Sequence, residues 1–321
     1  MLYHQNLEEL IFQRHEILDT DELIVLSGYL GPSPVSRLEE LPFNSRVIYG
    51  MYGSEGIQTN LHNSLTRIQN TVENLNIFYS QIPVHSKCYA WRRNGQIIHA
   101  LIGSANFSTN GLTTPYREIL AETTRDTFNP LNDYIAHILN NSISCLEIGQ
   151  RGIQEVIREG AICNMSFLMD NGETHNASGL NWGYMANGLP SPKRGIDDAC
   201  IPISITHIRQ FPDLFPPKLT ERELVDVRGR RQRSNEAIEL IWDDGITMEG
   251  LLEGTNNVDG IQYPKQISSF PAKNQMGEYL RNRIGVPLGQ PVRRHHLERY
   301  GRTDISVSLI GDGIYRCDFS V

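Results

Sequence analysis

At 321 residues, with a hydrophobic fraction of 39% and a charged fraction of 21%, the chain has a globular composition and is long enough for two domains, each with its own core. No run of about 18 apolar residues occurs, which excludes a membrane-spanning helix, and the opening MLYHQNLEEL has neither the basic nor the apolar region of a signal peptide. A net charge of −8 excludes a uniformly basic nucleic-acid coat, so any such surface must come from local clustering.

The first half alternates short apolar runs with helical patterns. Leu23–Leu26, Arg46–Tyr49 and Leu75–Tyr79 read as buried strands, while Val35–Leu41 and Leu61–Glu73 read as helices, the second opening at Asn60 as a cap. This alternation predicts an α/β layer structure, a central mixed, largely parallel sheet flanked by helices. Val84–Trp91 and Ile97–Ile102 read as strands around Arg93-Asn94-Gly95, a strong hairpin signal. Glu118–Ala121 reads as a further strand, and a helix from about Pro130 to Gly149 closes a first domain over residues 1–155.

From residue 161 to 321 the texture changes to seven short strands: Ile162–Met169, Ala199–Ile205, Ala237–Trp242, Thr247–Leu252, Ile261–Gln266, Ile305–Leu309 and Ile314–Phe319. Helices Gln275–Ile284 and Arg294–Tyr300 interrupt them, and the whole predicts a barrel-like β domain. Two Gly/Asn/Pro-rich excursions, Asn171–Asp198 and Gly254–Lys273, are long enough to suggest function.

Charge is uneven. Residues 1–160 hold 11 Lys+Arg against 17 Asp+Glu, a balance of −6, which leaves 18 against 20, a balance of −2, for the rest. The bases of the second half cluster at Arg228–Arg233 and at Arg293-Arg294-His295-His296, so a DNA surface there is compatible with the acidic total. The five cysteines, Cys88, Cys145, Cys163, Cys200 and Cys317, never fall in CxxC spacing; that argues against a zinc site and a disulfide framework, and for a reducing compartment, the cytoplasm by default.

The chemistry concentrates in His85-Ser86-Lys87, Gly103-Ser104-Ala105-Asn106 and Glu118. A single HxK is common by chance and a strand histidine is usually structural; the ordered set, HxK then GSxN then Glu on predicted strands, is far more specific. His85 and Lys87, two apart on one predicted strand, point to one face. An imidazole nucleophile at His85 divides phosphodiester hydrolysis into two steps through a phosphohistidine. Lys87, Asn106 and Ser104 stabilise charge on the phosphate oxygens, the work of divalent metals in other nucleases. Glu118, bonded to the far nitrogen of His85, fixes its tautomer. No metal and no cofactor is expected. The leaving oxygen needs a second imidazole as general acid, yet the nearest second motif, His207-Ile208-Arg209, has no GSxN downstream. Either the site is inactive or two chains meet about a two-fold axis, each contributing one His85; the homodimer is preferred.

The order and spacing of these groups resemble the phospholipase D superfamily. That resemblance departs at Arg92, which stands where an Asp commonly follows the lysine by five residues. His85-Ser-Lys-Cys-Tyr-Ala-Trp91, Ala100-Leu-Ile-Gly-Ser-Ala-Asn-Phe-Ser108 and Arg117-Glu-Ile-Leu-Ala-Glu122 look like the nuclease domain of NgoFVII/BfiI-type restriction endonucleases. Ser178-Gly-Leu-Asn-Trp-Gly183, Gly277-Glu-Tyr-Leu-Arg281, Tyr300-Gly-Arg-Thr-Asp304 and Asp318-Phe-Ser-Val321 extend the similarity over nearly the whole chain. The resemblance implies a phospholipase D-like nuclease domain followed by a seven-stranded pseudobarrel like the plant B-three fold, whose two arms grip double-stranded DNA. Equating the arms with the two long excursions makes Asn181, Trp182, Lys193 and Arg194 in the first, and Lys265, Gln266 and Lys273 in the second, the expected DNA-binding residues. Trp182 is a stacking candidate, though tryptophan is more often a packing anchor.

The resulting expectation is a metal-independent, site-specific DNA endonuclease of type II. Some relatives work with a separate ATP-dependent translocase; since no GxxxxGK[ST] occurs here, ATP dependence would require that partner. The rivals are a lipid phosphodiesterase of the same superfamily, which commonly carries two HxK motifs in one chain, and a DNA-binding protein with an inactive nuclease domain.

Overall fold

Leu23, Ile24, Val25 and Leu26 are four consecutive aliphatic side chains with no polar face to offer water, and all are fully buried near the middle of a sheet. The structure, a computed structural model, describes residues 1–148, 153–154, 162–218 and 235–321. The expected helix end at Gly149 and the basic run Arg228–Arg233 therefore lie outside the described residues. Two units emerge: Met1–Val156 with Gly245–Thr247 and Ile310–Ile314, and Ile157–Asp244 with Met248–Leu309 and Tyr315–Val321.

In the first unit the strands are β1 (Leu2–Tyr3), β2 (Glu22–Ser27), β3 (Asn44–Tyr49), β4 (Ile57–Gln58), β5 (Leu75–Ser80), β6 (Lys87–Arg93), β7 (Gln96–Gly103), β8 (Leu120–Glu122), β9 (Ser142–Ser144) and β10 (Ile153–Gln154). Its helices are α1 (Leu7–Gln13), α2 (Pro32–Ser36), α3 (Tyr52–Glu55), α4 (Thr59–Thr71), α5 (Thr109–Thr113) and α6 (Phe128–Asn140). Eight strands form a mixed sheet in the order β1-β8-β7-β6-β2-β3-β5-β9, and β4 pairs with β10 separately. Parallel pairing within the large sheet is confined to β2–β3 and β3–β5, a smaller share than expected. The reason is the β6–β7–β8 meander, whose first turn, Asn94-Gly95, adopts the positive φ values of 49° and 76° that a tight hairpin needs.

Helix α4 buries Leu61, Leu65 and Ile68, a one-faced stripe spaced by four and three residues. It starts after Gln58 without a side-chain cap, so Asn60 is not the cap. The helix expected over Val35–Leu41 begins earlier, because Pro32 presets the first turn, and gives way to a 3-10 turn at Arg37–Glu40. The helix expected to reach Gly149 stops at Asn140, and the chain then adds edge strand β9 beside β5. Ile135 and Ile138 of α6 join Ile24, Leu26, Ile48, Cys88, Ala90 and Ala100 in one core layer.

The second unit carries β11 (Cys163–Ser166), β12 (Ile201–Pro202), β13 (Glu236–Trp242), β14 (Thr247–Glu253), β15 (Asn256–Val258), β16 (Ile261–Tyr263), β17 (Gln266–Ser269), β18 (Asp304–Gly311) and β19 (Ile314–Asp318), with α7 (Ile205–Gln210), α8 (Lys273–Ile284) and α9 (Arg294–Tyr300). Seven of these form the barrel-like sheet β11-β18-β19-β13-β14-β17-β12, and β15–β16 is a hairpin apart from it. The strand expected over Ala199–Ile205 is cut short because the Ser204 side chain accepts from His207 N–H at 3.1 Å and caps α7. The one expected over Ile261–Gln266 splits around Pro264, which has no N–H to donate. Trp242, Phe215, Leu240, Ile267 and Leu280 anchor this unit's core, each contributing roughly 2 kcal/mol or more by burial.

Candidate active site

The register of the first sheet brings the chemistry to one edge. Leu26 of β2 faces Cys88, Lys87 faces Gly103, and Gly103 faces Leu120, so the end of β2, the start of β6, the end of β7 and the start of β8 share that edge. His85, Ser104, Asn106 and Glu118 lie in the segments just outside those strand ends. Gly103 is required there, since a Cβ on it would fall 2.0 Å from the Ile119 carbonyl oxygen. A cavity of about 530 Å³ results, lined by Tyr29, His85, Lys87, Gly103, Ser104, Asn106, Glu118 and Asp312. All five residues singled out from the sequence for catalysis thus line one space. Tyr29 and Asp312 were not singled out; Tyr29 carries a weak signal, as the second residue after a buried strand, whereas Asp312 lies too far along the chain to carry any.

His85 precedes β6 rather than lying on it, and its exposed ring faces the buried Lys87. Lys87 Nζ stands 3.1 Å from both Nδ1 and Nε2 of His85 and donates to the His85 carbonyl at 2.7 Å. Lys87 Nζ is thus equidistant from the two ring nitrogens. Burial pushes the Lys87 pKa down, and the charges of Glu118 and Asp312 partly restore it. The expected bond between Glu118 and the imidazole does not form among the described residues; Glu118 lies 3.9 Å from Arg117 Nε. Ser104 Oγ accepts from Ile119 N–H at 3.1 Å, which leaves its own proton available to a ligand. Asn106 is buried, its Oδ1 3.3 Å from Tyr29 N and its Nδ2 donating to Asp312 Oδ2 at 3.3 Å.

Arg92 serves the sheet: it pairs with Glu22 at 3.0 Å and donates to the Gly95 carbonyl. His99 accepts from Arg14 Nε at 3.0 Å and packs against Trp91.

In the second unit the residues expected to bind DNA divide. Trp182, Arg194 and Lys273 come together, with the Arg194 guanidinium 4.0 Å and Lys273 Nζ 5.0 Å from the indole centroid, and Lys273 paired with Glu253. Lys193 and Lys265 are exposed. Asn181 and Gln266 are corrected from surface readers to internal struts. Asn181 is fully buried, donating to the Val292 and His175 carbonyls and accepting from Val292 N–H. Gln266 lies on β17, buried, and donates to Glu253 Oε1 at 2.6 Å. Among the described residues no cluster of three or more His, Cys, Asp or Glu has the arrangement to hold a metal ion, and no helix is long and apolar enough to cross a membrane.

Residues 5–149 match the family model of the NgoFVII restriction endonuclease N-terminal PLD domain, and residues 156–311 that of the NgoFVII C-terminal B3-like DNA-binding domain. A search of curated proteins returns no match. Similar solved structures include NucT from Helicobacter pylori, at 13% identity and a TM-score of 0.32, over 45% of this chain and 97% of that one. Polyphosphate kinase from Porphyromonas gingivalis is similar at 12% identity and a TM-score of 0.30, over 43% of this chain and 21% of its own.

Proposed function

The chain belongs to the NgoFVII restriction endonuclease family, and from that premise we propose that it is a metal-independent, site-specific DNA endonuclease acting as a cytoplasmic homodimer. The nuclease domain spans residues 1–155 and the recognition domain residues 161–321. The observation that carries this reading is the cavity in which His85, Lys87, Ser104, Asn106 and Glu118 converge. The Lys87 ammonium supplies in this cavity the positive charge that a divalent cation supplies in nucleases of another class.

His85 attacks the phosphorus, and the bond to the 3′ oxygen breaks as the partner's imidazole protonates the leaving alkoxide. That imidazole, now neutral, takes a proton from water, whose oxygen attacks phosphorus and breaks the P–N bond. Lys87, Asn106 and the Ser104 hydroxyl hold the non-bridging oxygens throughout, and Glu118 adds a negative charge that favours the protonated form of Lys87. Each chain carries a single HxK followed by GSxN, so the second imidazole comes from a second copy.

The recognition surface includes Lys193, Arg194, Lys265 and Lys273. Trp182 acts as the platform that holds Arg194, with the guanidinium pinned further by its 2.9 Å bond to the Trp182 carbonyl. All five cysteines are free and buried, in keeping with a reducing compartment. The purified chain, incubated with plasmid DNA in EDTA and without ATP, is expected to give discrete fragments, and His85→Ala to give none. A strict requirement for magnesium contradicts the mechanism, and a strict requirement for ATP shows that a translocase partner is obligatory.

A further inference from the structure

We propose that the turn after β2, Ser27-Gly28-Tyr29, positions both the nucleophile His85 and the phosphate-binding carboxamide of Asn106; the proposal rests on the nuclease reading of this cavity. Asn106 Oδ1 has two neighbours, Tyr29 N at 3.3 Å and Ser27 Oγ at 3.4 Å. The serine has one proton to give, and its 2.6 Å bond to the Tyr29 carbonyl takes it. Tyr29 N–H is therefore the donor to Asn106. A main-chain N–H can face only an acceptor, so the carboxamide must turn its oxygen inward and its NH2 into the cavity. That is the orientation an anionic phosphate requires.

The same turn holds the backbone of the loop. Phe107 N–H donates to Ser27 Oγ at 3.0 Å, and Gly31 N–H donates to the Phe107 carbonyl at 2.8 Å. Ser27 is fully buried, so water does not compete for these bonds. Towards the nucleophile, a Cβ on Gly28 would lie 3.0 Å from His85 Cδ2, so the bare backbone forms one wall of the imidazole's seat. The Tyr29 ring stands edge-on to that imidazole, with centroids 5.9 Å apart at 79°, and its hydroxyl donates to the Glu55 carboxylate at 3.0–3.1 Å. A further main-chain link runs from Ser27 through Gly50 to Val84, the residue before His85, at 2.8 and 2.9 Å. None of the three residues reacts; they are positioning residues for two that do.

Gly28→Ala tests this, because Gly28 is not among the positive-φ glycines and alanine fits its backbone. The added methyl displaces the imidazole by a few tenths of an ångström, and the single-turnover cleavage rate in EDTA is expected to fall about tenfold or more. Orthovanadate, a phosphate mimic titrated against the full-length protein, is expected to bind more weakly by a similar factor. DNA affinity and melting temperature should stay within error of the unmodified protein, which a merely structural role would not allow. If Gly28→Ala melts early, Tyr29→Phe, which keeps the main chain and the ring and loses the exposed bond to Glu55, decides in the same way. Wild-type rate and wild-type vanadate affinity in a folded variant overturn the proposal. An unmodified protein that leaves DNA uncut instead contradicts the nuclease reading, and the vanadate comparison then decides the positioning role alone.

Discussion

Lys87 Nζ lies 3.1 Å from both imidazole nitrogens of His85, so on the proposed mechanism the ammonium that grips phosphate rests against the ring that attacks it. On the proposed mechanism an arriving phosphate anion would draw the ammonium off the ring and free the nucleophile in the same movement. The ammonium is already partly desolvated, which strengthens its hold on an anion.

This arrangement fixes a pH dependence. Burial holds the Lys87 pKa below the ordinary 10.5, against the opposing pull of Glu118 and Asp312. On the proposed mechanism the protonated form holds phosphate, and that form is lost as pH rises through the depressed pKa, so the basic limb of the single-turnover rate should fall earlier than an ordinary lysine allows. Lys87→Arg keeps its charge to far higher pH. A pH–rate profile of that variant should lose the basic limb, though at a lower plateau because the planar fork fits the seat poorly.

Asn181 and Arg194 lie thirteen positions apart in one excursion and should respond in opposite ways. Asn181→Ala strips partners from the buried Val292 amide and carbonyl and should lower stability by about 2 kcal/mol, read by urea unfolding. Arg194→Ala should leave unfolding unchanged but weaken DNA binding and reduce the slope of log affinity against log salt by about 1.

Asp243 contributes to acid stability in the second unit. Burial pushes its carboxyl up, but hydrogen bonds from Arg283 and from the Phe319 N–H outweigh that and hold it below the ordinary 3.8. A carboxyl with a lowered folded pKa adds stability that is present above the unfolded pKa and lost as pH falls through the folded one. The stability this pair contributes should therefore be lost as pH falls below about 4. Arg283→Met leaves the carboxylate without its 2.7 Å partner and should cost about 3 kcal/mol near neutral pH, with the loss shrinking as the carboxyl protonates.

The strands were legible because buried aliphatic runs such as Leu23–Leu26 and the Asn94-Gly95 turn are local signals. The residues that line the candidate site were legible because His85, Lys87, Ser104, Asn106 and Glu118 fall within a span of 34 residues in a fixed order. What stayed hidden depends on contacts distant in sequence. Asp312 reaches Asn106 across 206 positions, and nothing near Asp312 announces it. A carboxamide on a Gly/Pro-rich stretch has the same appearance in sequence whether it faces DNA or, like Asn181, ties Val292 111 residues away. Gln266 was misplaced for a related reason: the excursion Gly254–Lys273 contains β17, a strand paired on both sides.

The composite site, one His85 from each of two chains, is tested by subunit mixing. Wild-type and His85→Ala chains, unfolded together in equal amounts and refolded, should assort at random, and only dimers with two imidazoles at the shared phosphorus should cut. Specific cleavage in EDTA should then be about a quarter of that of the same total protein as wild type. A value of about one half, with every wild-type chain working whatever its partner, would contradict the shared site.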